Sequence, residues 1–305
     1  MRRVSFFSLV MAVAAAVTLG VLLLGRANSA TEASLVAGPP FETPQSDAAA
    51  PDNYTLSHFK CWTVEQQRWR RQVAYLQDQF DVQDRPPYET VAVGRPEWFC
   101  NATSKQHGNA QFPVVDERDH LTCYQIQELT DDTFAQRSVL VSNQFGEQQQ
   151  LQVVRPRDLC VPTDKMAIDG KPIDLAAPTT LDHFKCYDVQ GKPVVTPVRL
   201  QDEFDKLASL NGATHFEDVR VGSPVLLCNP TRKVHFTGFG TTAAANTVNH
   251  VDIQHPTAHL VCYRITPSES LPHRVLLSNQ FGPEQSINTV RSDLLCTPSL
   301  KRELK

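Results

Sequence analysis

The peptide His58-Phe59-Lys60-Cys61-Trp62 recurs later in the chain as His183-Phe184-Lys185-Cys186-Tyr187. A second peptide, Val141-Ser142-Asn143-Gln144-Phe145-Gly146, recurs as Leu277-Ser278-Asn279-Gln280-Phe281-Gly282. The two peptides stand in the same order in both copies. Self-similarity of this kind is typical of duplicated structural units. The sequence therefore predicts two tandem modules, residues 54–165 and 180–301.

Each module is itself doubled, so the chain contains four halves. The opening peptide returns as His120-Leu121-Thr122-Cys123-Tyr124 and as His259-Leu260-Val261-Cys262-Tyr263. Every half also has a middle element and an ending with a cysteine followed five residues later by lysine. The middle elements are Asp78-Gln79-Phe80-Asp81, Asn143-Gln144-Phe145-Gly146, Asp202-Glu203-Phe204-Asp205 and Asn279-Gln280-Phe281-Gly282. The endings run over 100–105, 160–165, 228–233 and 296–301.

The eight cysteines follow the same plan, with one near the start and one near the end of each half. An even number of cysteines in an exported chain is typical of a disulfide framework. The economical arrangement is one bridge within each half. A swapped arrangement between halves, such as Cys61 with Cys160, stays open because spacing does not exclude it. The within-half pairs are Cys61–Cys100, Cys123–Cys160, Cys186–Cys228 and Cys262–Cys296.

The local pattern favours strands, because short β-branched and aromatic runs lie between Pro, Gly and Asp. In the opening strand, alternation places Phe59 and Cys61 on one face and Trp62 and Val64 on the other. Both faces are apolar, which predicts a strand covered on both sides. We expect a mainly β fold of two sandwich- or barrel-like modules, each built from two duplicated, disulfide-bridged halves. The best helical candidate is residues 65–80, although its counterpart contains glycine and prolines.

The first thirty residues have the pattern of an export segment. Arg2 and Arg3 precede an apolar stretch that ends near Gly25, and small residues follow at 27–30. The apolar stretch is also long enough to span a bilayer, so residues 1–30 are either a cleaved signal peptide or an N-terminal anchor. Residues 31–53 are rich in Ala, Pro, Ser and Thr and are predicted to be a disordered linker. Both alternatives place the rest of the chain outside the cytoplasm.

The charge balance does not indicate a nucleic acid or an anionic membrane surface as a partner. The chain has 29 basic and 33 acidic residues and a net charge of -4, without a long run of one sign. Membrane contact is expected only through the N-terminal segment, if it is uncleaved. The partner that fits an exported β-rich protein is a protein or glycan ligand at the cell surface.

The four-cysteine repeat, with His-Phe-Lys-Cys openings, Asn-Gln-Phe-Gly centres and Leu-Cys-x-Pro endings, resembles an uncharacterised β-rich module of secreted proteins from environmental bacteria. The resemblance extends over nearly all of 58–301. It implies an exported, secreted or cell-surface protein with a β-rich fold. It carries over no activity, catalytic residue or cofactor. The first half departs from the pattern at Ala102, where the other three endings have proline.

The His-x-x-Cys element occurs in all four openings, and histidine with cysteine is a donor set for zinc. Cysteines paired in disulfides are poor zinc ligands, however, and four copies favour a role in folding over a role in catalysis. We therefore interpret His58, His120, His183 and His259 as structural residues.

The insertion 235–256 has no counterpart in the first module, and loops of this kind often carry function. His250, Asp252 and His255 within it are weak metal candidates, since the same residues suit a solvated loop or hairpin. Phe239 in the insertion and Trp69 in a polar stretch of the first module are candidates for a binding surface. Trp62 and Trp98 are expected in the core, because apolar residues stand at the matching positions.

Two functions from different classes fit these features. The first is an exported non-enzymatic structural or binding protein, because the chain repeats one unit without a unique catalytic motif. The alternative is a secreted hydrolase or carbohydrate-active protein with a site near the insertion of the second module. A Gly-x-Ser-x-Gly motif is absent from the sequence, and paired cysteines leave no thiol nucleophile. A cleft in which acidic or histidine side chains converge would favour the enzyme.

Overall fold

The computed structural model describes residues 55–65, 68–81, 88–129, 134–209, 213–237 and 247–304. The leader at 1–30 and the linker at 31–53 lie outside these ranges, so their predicted roles stay predictions. Among the described residues, no helix has the length and apolar character needed to cross a membrane. All described residues belong to one compact unit.

Strands make up most of the described chain, which confirms the mainly β prediction. Within the described ranges there is one short helix, α1 (Glu203–Ala208), which begins at the N-cap Asp202. The strands are β1 (His58–Val64), β2 (Gln72–Gln77), β3 (Glu89–His107), β4 (Ala110–Phe112), β5 (His120–Glu128), β6 (Arg137–Asn143), β7 (Gly146–Pro162), β8 (Asp164–Ile168), β9 (Lys171–Leu175), β10 (Phe184–Gln190), β11 (Thr196–Gln201), β12 (Glu217–Pro230), β13 (Arg232–Thr237), β14 (Thr247–Val251), β15 (His259–Thr266), β16 (Arg274–Asn279) and β17 (Gly282–Glu303).

Eight of these strands close into one antiparallel ring. Their order is β1-β3-β5-β7-β10-β12-β15-β17, and β17 pairs again with β1. Each sequence half contributes two neighbouring strands. The pairs β7–β10 and β17–β1 connect the two predicted modules, 54–165 and 180–301, on both sides. The two sequence repeats are thus parts of one ring, which removes every open edge from these eight strands.

The interior of the ring is filled by the disulfides. All four bridges lie within a half and join cysteines that face each other directly on neighbouring strands, with Cα atoms 3.9 to 4.0 Å apart. Sulfurs of adjacent bridges also touch, since Cys61 Sγ lies 3.6 Å from Cys296 Sγ and Cys160 Sγ lies 3.6 Å from Cys186 Sγ. The remaining void measures about 10 Å³. Its walls include Phe59, Trp98, Leu121, Leu226, Leu260 and Leu294.

The ring strands are covered on both faces, as the alternation predicts. Phe59 and Cys61 pack in the interior cluster, whereas Trp62 and Val64 pack in a separate outer cluster. Leu121 is likewise interior, and Tyr124 is outside against β2 and β3. The outer clusters are covered by the segments between the ring strands of each half. The helical candidate 65–80 is instead partly strand β2, which pairs with β3.

The outer strands exchange between opposite halves. Beyond the second ring strand of each half, the chain pairs with the middle strand of the opposite half: the first half pairs with the third, and the second with the fourth. Thus β13 pairs with β2, β8 with β16, the end of β3 with β11, and the end of β17 with β6. The exchange brings the middle element of one half against the openings and endings of others, which explains why those landmarks recur together.

Candidate functional site

The first residue of every middle element binds the aromatic residue that follows an opening cysteine. Acidic residues accept these hydrogen bonds, and asparagines donate them to tyrosine oxygens. All four aromatic side chains are fully buried. A buried N–H or O–H needs such a partner, so these contacts fix the outer segments on the ring. The four pairs are Tyr187 Oη to Asp78 (2.9 Å), Trp62 Nε1 to Asp202 (2.7 Å), Asn143 to Tyr263 Oη (2.9 Å) and Asn279 to Tyr124 Oη (2.8 Å).

The second residue of every middle element lies against the histidine of an opening. The histidines are buried, and burial lowers the pKa of all four, to about 4 for His58. Each buried imidazole with its lowered pKa is neutral at pH 7 and contacts one side chain of a middle element. The pairs are His58–Gln144 (2.6 Å), His120–Glu203 (3.9 Å), His183–Gln280 (2.7 Å) and His259–Gln79 (3.0 Å).

The third residue, phenylalanine, lies under the lysine of an ending. The ammonium groups lie 4.1 to 5.7 Å from the ring centroids, within the range of a cation–π contact. The four halves therefore build four equivalent outer clusters from the same sequence landmarks. The lysine and phenylalanine pairs are Lys105–Phe145, Lys165–Phe204, Lys233–Phe281 and Lys301–Phe80.

Two of these ending lysines should make the free energy of unfolding depend on pH. Burial lowers the pKa of Lys105 and of Lys233 from 10.5 to about 7. Between these values the unfolded chain binds more protons than the folded chain. The free energy of unfolding therefore rises with pH over this range, with an upper limit of about 1.4 kcal/mol per pH unit for each lysine. We expect urea unfolding to give a larger free energy at pH 9.5 than at pH 7.

Lys105→Met is the matched variant for this prediction. It removes one titrating group without opening a large cavity, so the difference between the two pH values should shrink. A free energy of unfolding that falls between pH 7 and pH 9.5 contradicts the assignment of these lysines as buried and partly neutral.

The opening lysine occurs only in the first and third halves, as Lys60 and Lys185, whereas Thr122 and Val261 replace it in the other two. Lys60 Nζ lies 2.7 Å from Asp205, 2.9 Å from Glu217 and 3.5 Å from Asp202. All four side chains are at most 4% exposed. Lys185 has a similar environment, with ion pairs to Asp81 and Glu89. The third and first halves thus each carry an acidic cluster around a buried lysine.

The cluster around Lys60 continues to His215 and Glu269, which are partly exposed. His215 Nε2 lies 2.8 Å from Glu269 Oε1 and 4.0 Å from Asp205 Oδ1. The Glu269 backbone N–H donates to Glu217 Oε1 at 3.2 Å. We refer to the group as the Lys60 cluster. It consists of Lys60, Asp202, Asp205, His215, Glu217 and Glu269.

The Lys60 cluster has more negative than positive charge. Burial would lower the pKa of Lys60, but Asp202, Asp205 and Glu217 outweigh it and raise that pKa. Burial, reinforced by Asp202, raises the pKa of Asp205 even though Lys60 opposes the shift. One lysine therefore does not neutralise the carboxylates around it.

The outer part of the Lys60 cluster offers a set of metal ligands. Ligand atoms of Asp205, His215 and Glu269 all lie within 4.8 Å of one another. One imidazole and two carboxylates suit divalent transition metals. His215 and Glu269 are about one third and one quarter exposed, so the group is accessible from solvent. Asp205 is the constraint, because Lys60 already contacts both of its oxygens.

The predicted candidates do not gather at this cluster. Trp69 is half-buried, stacks on Tyr124 with ring centroids 5.0 Å apart and donates to the Val93 carbonyl, so it belongs partly to the outer core. Asp252 forms an ion pair with Arg232 at 2.8 Å. Phe239 and the side chain of His250 lie outside the described part of the molecule.

The remaining metal candidate, His255, lies where the insertion returns to the ring. Its backbone N–H donates to the Asp182 carboxylate at 2.7 Å. The insertion itself forms the hairpin β13–β14 in its described parts. A hairpin is one of the two non-functional structures that the sequence predicts for this segment, the other being a solvated loop.

His215 and Glu269 are residues that reasoning from the sequence missed. A signal was nevertheless available in the comparison of the repeats. His215 lies two residues before Glu217, and Glu269 lies ten residues before Asn279. In the first repeat the corresponding positions, two residues before Glu89 and ten before Asn143, are Pro87 and Thr133. A histidine and a glutamate that occur in only one of the two repeats, close to a buried acidic cluster, are the pattern expected of a site that only one repeat has.

A second surface feature is a shallow groove of about 540 Å³ between the end of β3, β11 and β12. Polar side chains line it, including Gln106, Arg199, Asp218 and Arg220, together with Pro267. Arg199 forms a bidentate pair with Asp218 at 2.7 and 2.8 Å and lies over the exposed Phe216. An arginine beside an exposed aromatic ring is a common feature of binding surfaces.

Comparison with known proteins gives a family but no function. A family model described as a repeat of unknown function, DUF7450, matches residues 128–298, more than half of the chain. The chain belongs to this family. The DUF7450 match crosses the junction of the two sequence repeats, in accord with their union in one ring. No curated protein and no solved structure matches the chain.

Proposed function

We propose that this DUF7450 protein is a non-enzymatic structural or binding protein of the cell surface or the extracellular space. One observation carries the proposal. The residues that recur in all four halves, including the cysteines, histidines and ending lysines, are used to close and cover the ring. The ring interior has no room for a ligand. We therefore place ligand binding on the outer surface.

The disulfides support a place outside the cytoplasm, because thiols are kept reduced inside most cells. The export segment and the resemblance to secreted bacterial modules support the same compartment. The outer groove lined by Arg199 and Arg220, with the exposed Phe216 beside Arg199, is the surface that we propose for a protein or glycan ligand.

A binding screen tests the proposal. The full mature chain is immobilised and probed with cell-wall polysaccharides and surface proteins, and each probe is also analysed for breakdown products. We expect saturable binding without turnover, weakened by the double variant Arg199→Ala/Arg220→Ala and unchanged in Lys206→Ala, which alters an exposed ion pair that does not line the groove. Turnover of any probe contradicts the non-enzymatic role.

The Lys60 cluster favours a second candidate function, a secreted hydrolase. Its His215, Glu269 and Asp205 converge as a hydrolytic or metal-assisted site requires. The proposed site lies at α1 and β12 rather than at the insertion. The test is hydrolysis of chromogenic glycosides, esters and phosphates with and without added Zn²⁺ or Mn²⁺. Activity that disappears in both His215→Ala and Glu269→Gln supports the enzyme, and activity that survives in them excludes this site.

A further inference from the structure

Outside the Lys60 cluster, a lysine, an asparagine and an aspartate form a chain of contacts between three halves. Lys301 Nζ donates to Asn229 Oδ1 at 2.8 Å. The Nδ2 group of Asn229 donates in turn to Asp78 Oδ2 at 2.8 Å. Asn229 and Asp78 are fully buried, and Lys301 is partly buried. The amine of one side chain thus lies against the carboxamide of another, with a carboxylate on the nitrogen of that amide.

Burial favours a neutral amine at Lys301. The Phe80 ring, whose centroid lies 4.1 Å from Lys301 Nζ, opposes this, because a ring face stabilises the ammonium form. Burial lowers the pKa of Lys301 to about 8, although Asp78 opposes this shift. A neutral lysine amine is a nucleophile, whereas the ammonium form is not. With that pKa, roughly a tenth of Lys301 is the neutral nucleophile at pH 7, and its amine contacts the carboxamide of Asn229.

We propose that Lys301 and Asn229 form an intramolecular isopeptide bond. The neutral Nζ attacks Cγ of Asn229, and a proton passes from Nζ to Nδ2 through the Asp78 carboxylate. The Cγ–Nδ2 bond then breaks, ammonia leaves, and an Nζ–Cγ amide remains. The reaction is an exchange of one amine for another at an acyl carbon, so no oxidant or reductant takes part. The bond ties the end of β17 to β12.

The pseudo-symmetry supplies a matched triad for comparison. Lys165 Nζ donates to Asn101 Oδ1 at 3.0 Å, and Asn101 Nδ2 donates to Asp202 Oδ2 at 3.0 Å. Lys165 also forms an ion pair with Glu203, whereas the charged neighbours that act on Lys301 besides Asp78 are Glu303 and Arg137. A carboxylate in contact with the amine holds its proton and slows attack. At Lys301 the aligned residue is Gln79, which carries no charge.

The other two ending lysines are natural controls. Lys105 and Lys233 occupy the same position over Phe145 and Phe281. The residue after the cysteine, which is asparagine at 101 and 229, is Val161 and Thr297 in the other two halves. These lysines therefore lack the asparagine of the triad, and the carboxamide that Lys105 Nζ does contact is that of Gln144.

The intact mass of the full chain without substitutions, measured after reduction and denaturation, tests the proposal directly. Loss of ammonia lowers the mass by about 17 Da for each bond formed. We expect a deficit of at least one ammonia, and a branched peptide that joins residues 229 and 301 after proteolysis. The full calculated mass, or separate peptides containing Asn229 and Lys301, overturns the proposal. A deficit that maps only to Lys165 and Asn101 overturns it as well.

Two variants show the origin of the bond. Asp78→Asn keeps the amine and the carboxamide but removes the carboxylate. We expect no bond to form in this variant, so that the peptide containing Asn229 keeps its full calculated mass. Lys105→Met should still show the deficit. If Lys105→Met also lacks the mass deficit, the variants do not fold into the reactive geometry. In that case the mass of the chain without substitutions decides.

Discussion

Removal of the Cys186–Cys228 bridge by the double substitution Cys186→Ala/Cys228→Ala is expected to lower the free energy of unfolding by about 3 to 4 kcal/mol. The bridge closes a loop of 42 residues. Opening it increases the conformational freedom of the unfolded chain. The two sulfurs also belong to the fully packed interior of the ring, where deletion of buried atoms leaves a cavity.

Urea unfolding of the oxidised variant and the parent protein measures this effect. The other three bridges close loops of 34 to 39 residues and should give similar losses. A loss below about 1 kcal/mol would show that the bridges contribute little to stability, against the expectation for crosslinks of this length. Peptide mapping without reductant checks the pairing in the same samples.

Lys60→Met is expected to destabilise the protein by about 3 to 5 kcal/mol, because it leaves buried carboxylates without their cation. Lys60 is the common partner of Asp205 and Glu217 and is fully buried. Methionine has nearly the same length, so the substitution removes the charge more than the volume. Lys185→Met should have a comparable effect, since Lys185 is equally buried and holds Asp81 and Glu89.

The matched control is Lys206→Met, which breaks the ion pair with Glu117 on the surface. Exposed pairs are typically worth less than about 1 kcal/mol. Chemical denaturation of the three variants at pH 7 gives the comparison. Equal effects of Lys60→Met and Lys206→Met would falsify the view that a buried cation holds the acidic cluster together.

The sequence predicts the elements of this fold well. The alternation of Phe59 and Cys61 with Trp62 and Val64 indicates a strand covered on both faces, and the structure places the two pairs in different clusters. The position of one cysteine at each end of a half favours the within-half bridges that the structure has. Such features are local, so a single sequence contains them.

The way the elements join is less accessible from the sequence. Pairing of β1 with β17 connects residues more than two hundred positions apart, and no local pattern specifies that closure. The exchange of strands such as β13 with β2 is equally remote. Residues 65–80, the best helical candidate but a position that differs between the repeats, are partly strand because β2 pairs with β3 and β13.

The candidate site shows the same division. The sequence draws attention to His250, Asp252 and His255 because they are close in the chain. The structure instead brings Asp205, His215 and Glu269 together from α1, the approach to β12 and the loop after β15. Proximity in space, set by the ring, is what makes these three residues a candidate ligand set.

The closed ring itself is tested most directly by the first repeat alone. Residues 54–165 are produced in an oxidising compartment and studied by sedimentation and near-ultraviolet circular dichroism. Without β17 and β10, the outer edges of β1 and β7 have no partners, so we predict an unfolded chain or a dimer that pairs two copies. A folded monomer of this fragment that unfolds cooperatively would contradict the ring.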